Sequence, residues 1–247
     1  MRELRAGSAQ LAPIAVAALL TAERLSKSFH LRPVLKNLSL SLETGEVVLL
    51  FGRNGSGKTT LLSILAGIMR PGAGTASLNG LPMFTTDSRW RHGIAFVGHR
   101  PGLYPKFTAR ENLTLCLRLR GQHWDEPEFV ARMAHFGLAG RENDPIQVYS
   151  EGMLQRLGLV RLALSHWQVA LLDEPSSSLD VDGRNSLAEA MLRWRAQDRT
   201  VLFTSHHLGW GAARADRALL LDGGALQADL PQPHEGDLAQ YVNGGTP

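Results

Sequence analysis

Cysteine, lysine and long apolar runs are all scarce in this sequence. The single cysteine, Cys116, excludes a disulfide within the chain and fits a reducing compartment. It lies in the apolar run 113–117, which favours a buried structural thiol over a nucleophile. No apolar run reaches eighteen residues, so the sequence predicts no membrane-spanning helix.

The charge balance is nearly even. The chain carries 26 lysines and arginines against 23 aspartates and glutamates, for a formal charge of +3. So small an excess does not by itself indicate a nucleic-acid partner, and we expect none. Only four of the basic residues are lysine, and one of them, Lys58, lies inside a glycine-rich loop. A lysine retained there suggests that the position requires a compact ammonium group.

The length and the N-terminal segment set the domain organisation. A chain of 247 residues suffices for one large α/β domain, or for a core with a smaller helical lobe. Two arginines precede an apolar run at 11–20, which resembles a secretory signal, but no small-residue cleavage site follows. We therefore expect a loose tail at 1–14 and a single domain at 15–247, with a signal peptide as the weaker alternative.

Residues Gly52–Thr60 match the phosphate-binding pattern G-x-x-x-x-G-K-[ST] in full. An apolar, β-branched run at 46–51 predicts a strand before this loop, and helical spacing at 61–69 predicts a helix after it. Glycines let backbone N–H groups approach an anion, and the helix N-terminus adds partial positive charge. The alternative, a chance glycine-rich turn, does not account for the flanking strand and helix. We predict a nucleoside triphosphate site at Gly52, Arg53, Asn54, Gly55, Ser56, Gly57, Lys58, Thr59 and Thr60, with Lys58 on the β- and γ-phosphates and Thr59 on Mg²⁺.

The remaining pattern alternates strands and helices around a helical insertion. Strands are predicted at 21–29, 34–42, 75–80, 92–98, 169–172, 200–204 and 217–222, and further helices at 127–136, 152–165 and 184–196. Strand signals are missing between 108 and 146, which predicts a helical subdomain at about 108–165. After 222 we expect a polar tail.

Two carboxylates end the predicted strand at 169–172. Asp173 is suited to holding Mg²⁺, directly or through water. Glu174 points the other way and could polarise an attacking water as a general base. An exposed acidic turn is the alternative, and the phosphate-binding loop in the same chain argues against it.

With these motifs in place, the chain resembles the ATPase subunits of ABC transporters over nearly its whole length. The stretch Tyr149–Met153 is similar to the family's signature sequence, in which Ser150 and Gly152 would meet the γ-phosphate. The stretch 176–180, which ends in Asp180, is similar to the D-loop that crosses the dimer interface. His206 matches the switch histidine, with a one-residue ambiguity because His207 follows it. Phe29 lies where the family stacks an aromatic ring on adenine.

Two positions depart from the family pattern. His99 stands where the Q-loop usually has glutamine, and a histidine there could contact a water near Mg²⁺ or be a plain loop residue. Glu151 and Met153 replace the usual signature residues. Because a carboxylate beside a γ-phosphate is repelled, we expect Glu151 to face away from nucleotide.

The resemblance implies a fold, cofactors and partners. The fold is an α/β phosphate-loop core with an antiparallel β subdomain and an inserted α-helical subdomain. The cofactors are ATP and Mg²⁺, and the partners are a second, head-to-tail copy and an integral membrane subunit at the cytoplasmic face of the membrane. The residues around His99 and the segment 108–113 resemble the corresponding sequence in the ATPase of the haem exporter of cytochrome c maturation. A drug- or lipid-type exporter, a soluble ABC ATPase acting on ribosomes or DNA, and a small-molecule kinase are the alternatives.

Overall fold

The computed structural model describes residues 18–98 and 102–242 of the chain. The expected tail at 1–14 and His99 therefore lie outside the described residues. The strands of the described part are β1 (Leu20–Phe29), β2 (Arg32–Leu42), β3 (Val47–Phe51), β4 (Ala73–Leu78), β5 (Leu81–Pro82), β6 (Ile94–Val97), β7 (Val169–Leu172), β8 (Thr200–Thr204), β9 (Arg217–Asp222) and β10 (Ala225–Pro231). Its α-helices are α1 (Lys58–Leu65), α2 (Ala109–Arg118), α3 (Glu126–His135), α4 (Glu151–Leu164), α5 (Val181–Arg195), α6 (Leu208–Ala212) and α7 (Glu235–Val242).

The larger sheet has the strand order β10-β9-β3-β8-β7-β6. Its strands are parallel except for the antiparallel pair of β9 and β10. Every residue of β3, β7 and β8 is buried, which agrees with the unbroken apolar sequences of β3 and β7 and the apolar centre of β8, since a parallel strand is covered on both faces. Because parallel strands end at the same edge of a sheet, the loops after these three strands lie side by side.

The smaller sheet is antiparallel, with the order β2-β1-β4-β5. Its buried leucines, among them Leu25 and Leu38, share one apolar core with α1 and with Val48 and Leu50 of β3. This packing places Phe29, the last residue of β1, near the loop that follows β3.

Helices replace strands between β6 and β7. Thr108 and Glu111 form a capping box at the start of α2, and Asp125 caps α3 with a proline in its first turn. Phe129 and Met133 of α3 are completely buried and pack in the core that also holds the inner residues of β6 and β7. Together with the two sheets, these helices form the predicted fold class.

Three local predictions are wrong. The helix after the phosphate loop ends at Leu65, because Gly67 turns with a φ of 70° beside the Trp90 ring. The expected polar tail contains β10 and α7; β10 is an edge strand that can keep polar residues in solvent, and Leu238 anchors α7 in the core. Cys116 is only partly buried.

None of the helices in the described ranges is both long enough and apolar enough to span a lipid bilayer.

The packing of α3 predicts the effect of truncating its buried ring. Phe129→Ala should lower the free energy of unfolding by about 3–5 kcal/mol, because it removes apolar contacts and leaves a cavity. The neighbouring Val130 is 46% exposed, so Val130→Ala should change that free energy by no more than about 0.5 kcal/mol. Urea unfolding followed by circular dichroism measures both values. Equal losses in the two variants would contradict this account of the core.

Candidate functional site

The loop between β3 and α1 has a backbone that only glycine adopts readily. Gly52, Gly55 and Gly57 have φ angles of 146°, 79° and 109°. A Cβ atom at Gly52 would lie 2.0 Å from the carbonyl oxygen of Leu221. The helix α1 begins directly after the loop, at Lys58, so the unpaired N–H groups of its first turn lie at the end of the loop. This arrangement is suited to binding an anion.

The ammonium group of Lys58 is folded back onto the loop. Its Nζ donates hydrogen bonds to the carbonyl oxygens of Gly52, at 2.8 Å, and Arg53, at 3.2 Å. Burial lowers the pKa of Lys58 below its ordinary value, and the nearby carboxylates of Glu174 and Asp173 act in the opposite direction. The charged oxygens of a phosphate group would be stronger hydrogen-bond acceptors for this ammonium than the two carbonyl oxygens are.

A cavity of about 620 Å³ lies over the loop and brings together most of the predicted site residues. Its lining consists of Phe29, Val34, Asn54, Gly55, Gly57, Lys58, Thr59, Thr60, Asp173, Glu174 and His206. Gly52 and Arg53 line an adjoining hollow with His206. Ser56 is buried, and its Oγ has no hydrogen-bond partner in the part of the chain that the structure describes. A buried hydroxyl of this kind is available for a hydrogen bond to a bound ligand.

The Phe29 ring lies at the rim of this cavity and is 43% exposed. The Nζ of Lys27 lies 5.6 Å from the ring centre and donates a hydrogen bond to the carbonyl oxygen of Arg70. The ring therefore presents an aromatic surface on which a planar base could stack.

Thr204, at the end of β8, holds the two carboxylate residues at the end of β7. Its completely buried Oγ1 donates to Oδ1 of Asp173 at 2.9 Å and accepts from the backbone N–H of Glu174 at 2.8 Å. Glu174 has a φ of 53°, a conformation that is uncommon outside glycine and typical of strained functional positions. The Thr204 hydroxyl therefore stabilises the turn that aims Glu174 into the cavity.

His206 contacts the carboxylate of Glu174 from the next loop. The backbone N–H of His206 donates to Oε2 of Glu174 at 2.9 Å, and its Nε2 lies 3.4 Å from Oε1. The His206 side chain is 57% exposed, whereas that of Glu174 is 16% exposed. His207 does not line this cavity, and its N–H bonds to Ser205 within its own turn. The geometry therefore favours His206 over His207 for the switch position.

The residues predicted to hold Mg²⁺ supply two oxygen donors of the kind it prefers. These are the hydroxyl of the exposed Thr59 and the carboxylate of Asp173, both of which line the cavity. Within the described ranges, no group of three or more His, Cys, Asp or Glu side chains could hold a metal by itself. Two protein ligands with the remaining positions left to water and phosphate oxygens are the usual arrangement for Mg²⁺, so these residues fit that ion.

Ser150, Gly152 and Asp180 do not line this cavity. Ser150 caps α4 by accepting a hydrogen bond from the Met153 N–H, and Asp180 caps α5 and pairs with Arg156. The structure thus keeps the signature residues apart from the phosphate loop of the same chain.

Glu151 contacts the segment that precedes α5. Its Oε1 accepts a 2.8 Å hydrogen bond from the Ser178 hydroxyl. A Cβ atom on the adjacent Gly152 would lie 2.7 Å from the carbonyl oxygen of Ser178, so these two segments are in close contact. The carboxylate of Glu151 is held by this contact, beside the helix end that would face a phosphate.

The sequence analysis predicted no role for two residues near the site. The sequence analysis placed Thr204 only at the end of an apolar strand. A polar residue at that position could have indicated a role in the site. Ser178 stood in the predicted D-loop, but nothing in the sequence indicated its bond to Glu151.

Comparisons with known proteins agree on the family. Residues 35–177 match the family model described as ABC transporter. The cytochrome c biogenesis ATP-binding export protein CcmA of Salmonella typhi is 37% identical over 78% of this chain and 92% of its own length. The protein of that name from Escherichia coli K12 is 35% identical over 71% of this chain and 83% of its own.

Solved structures show the same architecture. An ATP-binding subunit of an ABC transporter matches with a TM-score of 0.82 and 26% identity, over 91% of this chain and 99% of its own. A dimeric ATP-binding cassette bound to ADP and Pi in a post-hydrolysis state matches in fold, with a TM-score of 0.80 and 21% identity, over 87% of this chain and 99% of its own. The chain belongs to the ABC transporter family, as one of its ATP-binding subunits.

Proposed function

We propose that this chain is the ATP-hydrolysing subunit of a membrane exporter that carries haem for cytochrome c maturation. One observation carries the ATPase part: a single cavity brings the phosphate loop together with Asp173, Glu174 and His206. The curated relatives, whose names describe ATP-binding export proteins of cytochrome c biogenesis, support the export part. We further propose a single domain at 15–247, with its helical subdomain at about 108–165.

Different residues of the cavity would bind different parts of ATP. The exposed face of Phe29 would stack on adenine, while the loop N–H groups and Lys58 would hold the phosphates. Mg²⁺, held by Thr59 and Asp173, would supply positive charge to the phosphate oxygens. Together these groups position the triphosphate and surround its terminal phosphate with hydrogen-bond donors.

Glu174 is the residue placed to activate water. Its carboxylate is mostly buried and kept in place by Thr204 and by the His206 N–H. A carboxylate so held can accept a proton from, or orient, the water that attacks the γ-phosphate. His206 lies against the same carboxylate and could contact the phosphate that is being transferred.

We propose that the site is completed by a second copy of the chain. Ser150 and Gly152 lie at the N-terminal end of α4, a position suited to a phosphate, yet they do not line the cavity of their own chain. In a head-to-tail dimer they would meet the γ-phosphate held by the other subunit. ATP would then bridge the two subunits, and hydrolysis would release the bridge. We propose that an integral membrane subunit uses this motion and that this chain lies at the cytoplasmic face of the membrane.

Replacing the proposed base separates binding from turnover. Glu174→Gln should lower the ATP hydrolysis rate by roughly 100- to 10,000-fold while ATP binding is retained, because only the proton acceptor is lost. Glu23→Gln, an exposed change on β1, serves as the charge-matched control. Phosphate release and nucleotide titration measure the two properties, and gel filtration with ATP should show Glu174→Gln as a dimer. Wild-type turnover in this variant would exclude Glu174 as the base.

The buried hydroxyl of Thr204 predicts a second pair of variants. Thr204→Val should leave the Glu174 N–H without its acceptor and cost about 1–3 kcal/mol in the free energy of unfolding. The turnover number should fall more than the affinity for ATP, because the loop that binds phosphate is unchanged. Thr204→Ser keeps the hydroxyl and should retain most of the activity. Equal activity in Thr204→Val and Thr204→Ser would show that the hydroxyl does not position Glu174.

The export assignment is tested in the host of this protein. The chain should co-purify with an integral membrane protein from detergent-solubilised membranes, and loss of the chain should abolish c-type cytochromes. The wild-type chain should restore them, and Lys58→Ala should not. Normal c-type cytochromes without the chain would reject the haem assignment and favour a drug- or lipid-type exporter. Recovery with ribosomes or nucleic acid in place of a membrane protein would reject transport.

A further inference from the structure

A second cavity, of about 150 Å³, lies between the helical insertion and the core. Residues of α3, α4 and α5 and of the loop after α5 line it, among them Glu128, Arg132, His135, Arg193 and Arg199. None of these residues lines the cavity over the phosphate loop. The two cavities are therefore built from separate parts of the chain.

The walls of this second cavity carry an excess of positive charge. Three arginines and a histidine face it, and Glu128 is the only carboxylate in its lining. Glu128 pairs with Arg132 at 3.3 Å, which leaves Arg193 and Arg199 without a carboxylate partner in that lining. Burial and then the charge of Arg132 lower the pKa of Arg199, and the carboxylate of Glu128 opposes them. Burial lowers the pKa of His135, as do the charges of Arg193 and Arg132, whereas the Ser186 carbonyl and the carboxylate of Glu189 raise it.

Several hydrogen-bond donors of this arginine cluster have no acceptor among the described residues. The Nε of Arg132 is buried without a partner. The guanidinium of Arg199 stacks on Trp167 at 5.0 Å but makes no hydrogen bond within the ranges that the structure describes. Of these donors the Nε of Arg132 is the buried one, and an acceptor in the cavity would remove the free-energy cost of leaving it without a hydrogen bond.

His135 cannot satisfy both of its neighbours. Its Nε2 lies 2.7 Å from Nη2 of Arg193, which can only donate, and 3.1 Å from the carbonyl oxygen of Ser186, which can only accept. With the proton on Nδ1, Nε2 accepts from Arg193 and the Ser186 carbonyl lacks this donor; with the proton on Nε2, His135 donates to Ser186 and the exposed Arg193 is free to donate elsewhere. In the second tautomer an anion in the cavity would accept from Arg193.

We propose that this cavity is a binding site for a small tetrahedral oxyanion, and specifically for inorganic phosphate. The volume of about 150 Å³ is well above the roughly 10–15 Å³ that one water requires, so an ion of the size of phosphate fits. Guanidinium groups match phosphate oxygens through paired hydrogen bonds, and three of them converge here. The bound phosphate links Arg132 of α3 to Arg193 of α5 and to Arg199.

Isothermal titration calorimetry with inorganic phosphate tests this proposal. A non-hydrolysable ATP analogue with Mg²⁺ is present in excess, so that the phosphate-loop cavity, including the γ-phosphate position, is already filled. Chloride keeps the ionic strength constant, because exposed charges are screened by salt. The wild-type chain is compared with Arg199→Gln and with Arg193→Gln. Arg118→Gln on α2 is the control, since it removes the same charge from an exposed position outside the cavity.

We expect the wild type and Arg118→Gln to bind phosphate at millimolar concentrations with equal affinity. Arg199→Gln and Arg193→Gln should each weaken binding by at least about tenfold, as expected for the loss of hydrogen bonds to a charged group. Thermal unfolding in chloride checks that each variant is folded, and phosphate should raise the melting temperature of the wild type more than that of either variant. An absence of binding by the wild type, or equal affinity in all four proteins, would overturn the proposal.

Discussion

A buried hydroxyl joins the ends of two neighbouring parallel strands, and the acidic half of the site depends on it. Thr204 ends β8, Asp173 and Glu174 follow β7, and the hydroxyl bonds to both of them. Backbone strain at Glu174 is tolerated because these bonds and the bond from His206 hold it. The parallel register brings the three loops to one edge, so the site follows from the sheet order as much as from its own residues.

The phosphate-binding loop depends on a different constraint, which is the lack of room for a side chain at Gly52. At Gly52 the loop passes so close to the backbone of β9 that no side chain fits, and the following helix begins with its donors unpaired. Lys58 meanwhile bonds to loop carbonyls, and the buried Ser56 hydroxyl has no partner among residues 18–98 and 102–242. These groups are arranged for an anion, and phosphate would improve the hydrogen bonding of each.

The helical insertion carries two further points of contact with the core. At one, Glu151 and Gly152 lie against Ser178, so the signature helix and the segment before α5 touch within one subunit. At the other, the arginines of α3, α5 and the loop before β8 face a common cavity. Both contacts lie where the helical insertion meets the segment that links β7 to β8. A change in the position of the insertion would therefore reach α5 and the loops around the carboxylates.

The sequence by itself determined the groups whose members are adjacent along the chain. The phosphate loop, the Asp173–Glu174 pair and the signature stretch are contiguous, so these motifs could be recognised without the fold, as could the mainly apolar buried strands. The tertiary structure alone decided how distant residues meet. Thr204 reaches Asp173 because β8 lies between β3 and β7, and Arg132 and Arg199 line one cavity where His135 of α3 contacts Ser186 and Arg193 of α5. Strand order and helix packing are long-range properties, which local periodicity does not encode. The edge strand β10 was missed for a related reason: its pairing with β9 compensates for a polar sequence.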